Sequence, residues 1–76
     1  PAARYLPHAR TVARAFADPS GATADAVARH YGIAAWVVTD LDPVWNNPRS
    51  WVWTRRPALA LPHVRVLLTQ AAGQGP

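Results

Sequence analysis

Seventy-six residues are enough for one small domain, since a chain of this size buries only about 60% of the surface its unfolded form exposes. Half of the residues are apolar and 16% are charged, a globular balance rather than a disordered one, and the absence of cysteine excludes disulfides and thiolate zinc sites. All eight basic residues are arginine, set against four aspartates for a net charge of +4. Such an excess favours polyanionic partners.

No apolar run approaches the ~20 residues of a membrane span, so no membrane association is expected. The three histidines are scattered without an i, i+4 pair, and neither a metal nor a cofactor is expected. The chain starts at Pro1 and contains no methionine. The expectation is a piece of a longer cytoplasmic protein, with residues 1–72 as one domain and 73–76 as a flexible tail.

In chain order, Leu6-Pro7 opens a first helix, because proline at the first helical position gives up an amide hydrogen the helix would not use. Ala9, Val12, Ala13 and Phe16 make its apolar stripe, and Arg10 and Arg14 lie one turn apart beside it. Asp18-Pro19-Ser20-Gly21 is a turn cluster that stops it. A second helix is predicted from Thr23 to Tyr31, with the Thr23 hydroxyl as N-cap and Asp25 suited to the first turn. Its buried face is Ala24, Val27, Ala28 and Tyr31, and Gly32 supplies the left-handed residue that ends it, with Ile33 folding back.

Residues 34–41 support two readings. The geometry at Gly32 favours a third helix that buries Val38 and Leu41. The run Trp36-Val37-Val38-Thr39 is instead β-favouring, and as a strand it would pair with Trp51–Arg55. Asp42 to Ser50 is a turn region with room for one short helical turn, Asp42 capping ahead of Pro43. Ser50–Arg55 alternates and is rich in Trp, Val and Thr, which predicts a strand. Pro57–Pro62 reads as loop. His63–Thr69 fits a strand through Val64, Val66 and Leu68, or a helix through Val64, Leu67, Leu68 and Ala71.

The stretch from Thr23 to Leu41 resembles a helix-turn-helix unit. The resemblance rests on Ala28, Gly32 and Val38 at their spacing, with Ile33 and Leu41 as apolar partners, and covers about 20 residues. With the later segments as a hairpin, it implies a winged helix-turn-helix, mainly α with a small β-hairpin. The alternative is an α+β domain with two helices and a three-stranded antiparallel sheet. By that resemblance the protein would be the DNA-binding part of a regulatory, plasmid or mobile-element protein, with its third helix in the major groove of duplex DNA.

Carried over to this chain, the base-facing positions are Ala34, Ala35, Trp36, Thr39 and Asp40. None is an Arg, Lys, Asn or Gln, the side chains that read base edges best. Affinity would then come from arginines elsewhere: Arg55 and Arg56 on the hairpin tip with Arg49 before it, and Arg10, Arg14 and Arg29 on the first two helices. The rival reading is docking to a protein partner or a second copy. It uses the tryptophans, with Trp51 and Trp53 in the core and Trp36 and Trp45 as the exposed pair. An enzyme is not expected. The chain has no Cys, Glu or Lys, no Gly-x-Ser-x-Gly elbow and no glycine-rich phosphate loop.

Overall fold

The computed structural model describes residues 9–70. They form α1 (Ala9–Ala17), α2 (Ala22–Tyr31), β1 (Ala35–Thr39), a 3-10 turn (Pro43–Asn46), α3 (Trp51–Thr54), β2 (Leu59–Ala60) and β3 (Val64–Leu68). The helix opening at Leu6-Pro7, the outer limits of the 1–72 domain and the 73–76 tail lie outside the described residues.

The α1–α2 hairpin follows from its turn chemistry. The Asp18 carboxylate accepts the Ser20 N–H and hydroxyl at one oxygen, and the Thr23 N–H and hydroxyl at the other, at 2.9–3.1 Å. Asp18 therefore caps α2 from five residues upstream, and Thr23 is a capped residue rather than the cap. Gly21 begins α2 at φ 82°, and a Cβ there would meet the Trp51 Cβ at 2.9 Å, so both conformation and packing call for glycine. At the other end Gly32 is left-handed (φ 67°), and both its N–H and that of Ile33 donate to the Ala28 carbonyl, as expected of this glycine. Ala15, Ala24 and Ala28 are buried, and such small side chains let the two helices approach closely. In α1 the buried stripe is shifted: Ala9 and Ala13 are exposed, while Thr11, Val12 and Phe16 are half-buried beside Ala15.

Residues 35–39 run extended, which corrects the third-helix expectation. The sheet order is β1-β3-β2, antiparallel throughout, with Trp36 opposite Leu67, Val37 opposite Val66 and Leu59 opposite Val66. Rungs beyond the strand ends extend the ladder, from Thr69 N–H to the Ala34 carbonyl and from Asp40 N–H to the His63 carbonyl. Stiff β-branched side chains in a run, with a partner strand available in β3, outweigh the helical continuation that Gly32 permits. Residues 63–69 take the strand option, though beside β1 and β2 rather than Trp51–Arg55.

The segment Ser50–Arg55 is the second correction, because it folds as the four-residue α3. The Ser50 side chain accepts the Val52 N–H at 3.3 Å, and the Trp51 N–H donates to the Pro19 carbonyl at 2.8 Å. A capping serine and the burial of adjacent Trp51 and Val52, impossible for one face of a strand, override the alternating pattern. The short strand β2 arises inside the stretch expected as loop. The helical turn expected between Asp42 and Ser50 is present at Pro43–Asn46, but Asp42 makes no side-chain cap to it. Its carboxylate instead accepts the Thr39 N–H at 2.8 Å and closes the turn after β1.

The architecture is thus α+β, a helical layer with the short α3 on one face of a three-stranded sheet. Trp36, Val38 and Leu67 point inward from the sheet, and Phe16, Trp36 and Trp51 form an aromatic triangle with ring centroids 5.7–6.2 Å apart. The Trp51 indole N–H donates to the Ala15 carbonyl at 3.1 Å, so the largest core residue leaves no polar atom unpaired.

Candidate nucleic-acid interface

The described residues include seven arginines, which divide into two kinds. Arg65 projects from the inner face of β3 to the end of α3. Its Nε donates to the Val52 carbonyl at 2.6 Å, and Nη2 donates to the carbonyls of Trp53 (3.5 Å) and Arg55 (3.1 Å). The guanidinium lies 4.9 Å from the Trp53 ring centroid. A helix of four residues has no internal partner for its last carbonyls, and a cation at that end satisfies them.

Arg55 is the second tethered arginine. It grips Asp25 in a two-pronged pair at 2.7 and 3.0 Å, lies 5.3 Å from the Trp51 ring centroid, and ties α3 to the first turn of α2. The Arg55 hydrogen bonds hold the Asp25 carboxyl below its ordinary value despite partial burial, with Arg29 adding a smaller attraction. The Asp25 carboxylate in turn raises Arg55. Arg55 was expected on a hairpin tip. The actual β2–β3 hairpin turns at Leu61–His63 and carries no arginine there.

Arg10, Arg14, Arg29, Arg49 and Arg56 are exposed, and none makes an ion pair among the described residues. Arg10 and Arg14 stand one turn apart on α1, about 6 Å along its axis. Arg29 is in the last turn of α2, and Arg49 and Arg56 flank α3. The four aspartates make their short contacts elsewhere, although Asp25 also attracts Arg29 at longer range. Asp25 holds Arg55, Asp40 contacts His63 at 2.7 Å, Asp42 takes the Thr39 N–H, and Asp18 caps α2. The Thr23 N–H and then the Ser20 hydroxyl lower the Asp18 pKa to about 2, so it stays ionised in that cap.

The other expected contact residues do not gather at this surface. Ala34 is exposed ahead of β1, while Ala35 and Thr39 lie on the outward face of that strand. Trp36 is 7% exposed within the aromatic triangle, which corrects its assignment to an exposed surface. Trp45 is half-buried, edge-on to Trp53 at 4.7 Å, and its carbonyl accepts the Trp53 indole N–H at 2.9 Å. The tryptophans were expected to divide into an exposed pair and a core pair. The observed pairs are Trp36 with Trp51 and Trp45 with Trp53, which only the packing of α3 makes adjacent.

Two features escaped the sequence reading. The Asp40–His63 contact joins positions 23 residues apart, and only the β1–β3 register brings them together. The α1 stripe (Ala9, Val12, Ala13, Phe16), with Ala17, Pro43 and Val44, lines an open apolar groove of about 490 Å³. On its rim, Asp42 Oδ2 accepts the Thr39 N–H and Asn47 Oδ1 accepts the Arg49 N–H. Among the described residues no three His or Asp side chains come together as metal ligands would. No helix there is long and apolar enough to cross a membrane. No protein-family profile matches the chain, and no curated protein or solved structure matches it.

Proposed function

We propose that this domain binds nucleic acid, duplex DNA in the first instance, through the phosphate backbone and with little sequence preference. The observation that carries the reading is the division of the arginines: among the described residues, five exposed guanidinium groups on the helices and around α3 make no ion pair with a carboxylate. Guanidinium forks match phosphate oxygens, and contacts of this kind position a protein without reading bases. Residues 35–39 are a strand with Trp36 turned inward, so the mechanism uses no recognition helix in the major groove. The tryptophans offer no stacking platform for bases, because Trp36 and Trp51 are buried and Trp45 and Trp53 pack on each other.

The test is the salt dependence of binding to a random-sequence duplex, followed by fluorescence anisotropy. Neutralising three phosphates predicts a loss of affinity of about 40-fold between 50 and 200 mM salt, and five about 500-fold. Affinity that is flat across that range, or no binding at 50 mM, rejects the proposal.

A further inference from the structure

The groove beside α1 joins an apolar floor to a row of cations. It is open, about 490 Å³ in volume, and runs from Ala9 to Ala17, on the order of 12 Å along the helix. Val12, Phe16 and Val44 supply its larger apolar side chains, and Asp42, Pro43 and Asn47 complete the wall opposite α1. Arg10 and Arg14 each stand three residues before a lining alanine, Ala13 and Ala17, and residues three apart are neighbours on a helix surface. Both arginines therefore border the floor on its α1 side. They are exposed and make no ion pair among the described residues.

We infer that this groove takes an amphipathic helix of an acidic partner protein, with apolar side chains against Ala13, Phe16 and Val44 and carboxylates along Arg10 and Arg14. Charge selects the occupant. A second copy of the chain brings a net charge of +4, and its four aspartates make short contacts of their own. The chain's own end segments match no better, since residues 1–8 and 71–76 contain Arg4 and no Asp or Glu. A foreign acidic segment complements both the floor and the arginine rim. Shape selects a helix. One wall is α1, whose backbone groups are spent within the helix, so an extended peptide finds no ladder there, whereas a helix brings its own hydrogen bonds. The groove is also polarised: its one lining carboxylate, Asp42, belongs to the wall opposite α1, which sets the partner's carboxylates on the α1 side. The same two arginines serve duplex DNA in the function proposed above, so peptide and duplex exclude each other at α1; that consequence alone rests on the nucleic-acid reading.

The experiment is fluorescence anisotropy without nucleic acid, so that its outcome does not depend on phosphate binding. The probe is a labelled helical peptide of ~15 residues with leucines along one face and glutamates flanking them. Two companions carry lysine in place of every glutamate, or serine in place of every leucine. The expected Kd for the first peptide lies between ~10 μM and ~1 mM, with both companions at least ~10-fold weaker. Arg10→Glu combined with Arg14→Glu, checked for native circular dichroism, should reverse the order of the glutamate and lysine peptides. Ala13→Gln leaves the charges alone, sits at an exposed helical position and fills the floor, and it should weaken the first peptide by at least ~5-fold. Amide shifts on adding that peptide should centre on residues 9–17 and 42–47. No binding at ~1 mM protein, equal binding of either companion, a folded Ala13→Gln variant of unchanged affinity, or shifts confined to the sheet would overturn the inference.

Discussion

The end of α3 and the outer surface of α1 use the same side chain to opposite ends. Around α3, Arg65 and Arg55 reach inward, one onto three carbonyls and a tryptophan ring, the other onto Asp25. On α1, Arg10 and Arg14 are exposed and make no ion pair among the described residues. Net charge alone therefore overstates what a polyanion can use. Arginine becomes structural where a short helix ends with unmet carbonyls, or where a carboxylate lies within reach, and it is left available where neither exists.

Substitutions can break the inner side of this contrast. The largest effect is expected from Arg65→Ala, which strips three carbonyls of a charged donor and Trp53 of its cation. It should cost about 2–3 kcal/mol and lower Tm by roughly 10–20 °C, measured by thermal unfolding. Arg65→Lys should recover less than half of that, because a point charge cannot replace the guanidinium fork. Next comes Arg55→Ala, with a loss of about 1 kcal/mol, since the pair with Asp25 is partly exposed. A double-mutant cycle with Asp25→Ala should assign most of it to the pair.

A smaller effect depends on pH. The Asp18 pKa is lowered from 3.8 to about 2, so the folded state binds fewer protons than the unfolded chain within that window. The stabilisation it gives is complete above the unfolded value and is lost as pH falls from about 3.8 towards 2. Asp18→Asn should lose part of the cap at neutral pH and flatten that acid limb in urea titrations. The smallest stability change belongs to the outer arginines. Arg10→Ala combined with Arg14→Ala should leave stability within about 0.5 kcal/mol, yet reduce the salt slope of duplex binding by about 2. A large loss of stability there would erase the distinction between the two sides.

The helical hairpin was legible in the sequence because its signals are local. Gly32 and the repeat of Ala24, Val27, Ala28 and Tyr31 each act within a turn or two of themselves. The cap on α2 was misplaced because Asp18 reaches it from five residues away. Beyond position 33 the decisive partners are distant. Trp36 turns strand-wise because Leu67 lies opposite, and Trp51 turns helical because Ser50 caps it while Ala15, Phe16 and Trp36 enclose it. Propensity in the run Trp51–Thr54 pointed to a strand, and tertiary packing prevailed. Of the expected site, the arginine excess was readable from composition. Which arginines remain free was not, since Arg55 is claimed by Asp25 thirty residues earlier.

The central claim is tested most directly by mapping backbone amide shifts while a random-sequence duplex is added at low salt. The account predicts perturbations around Arg10, Arg14, Arg29, Arg49 and Arg56 that fade as salt rises, with residues 35–39 and 64–68 little changed. No response to duplex, or a response confined to the sheet, would contradict it.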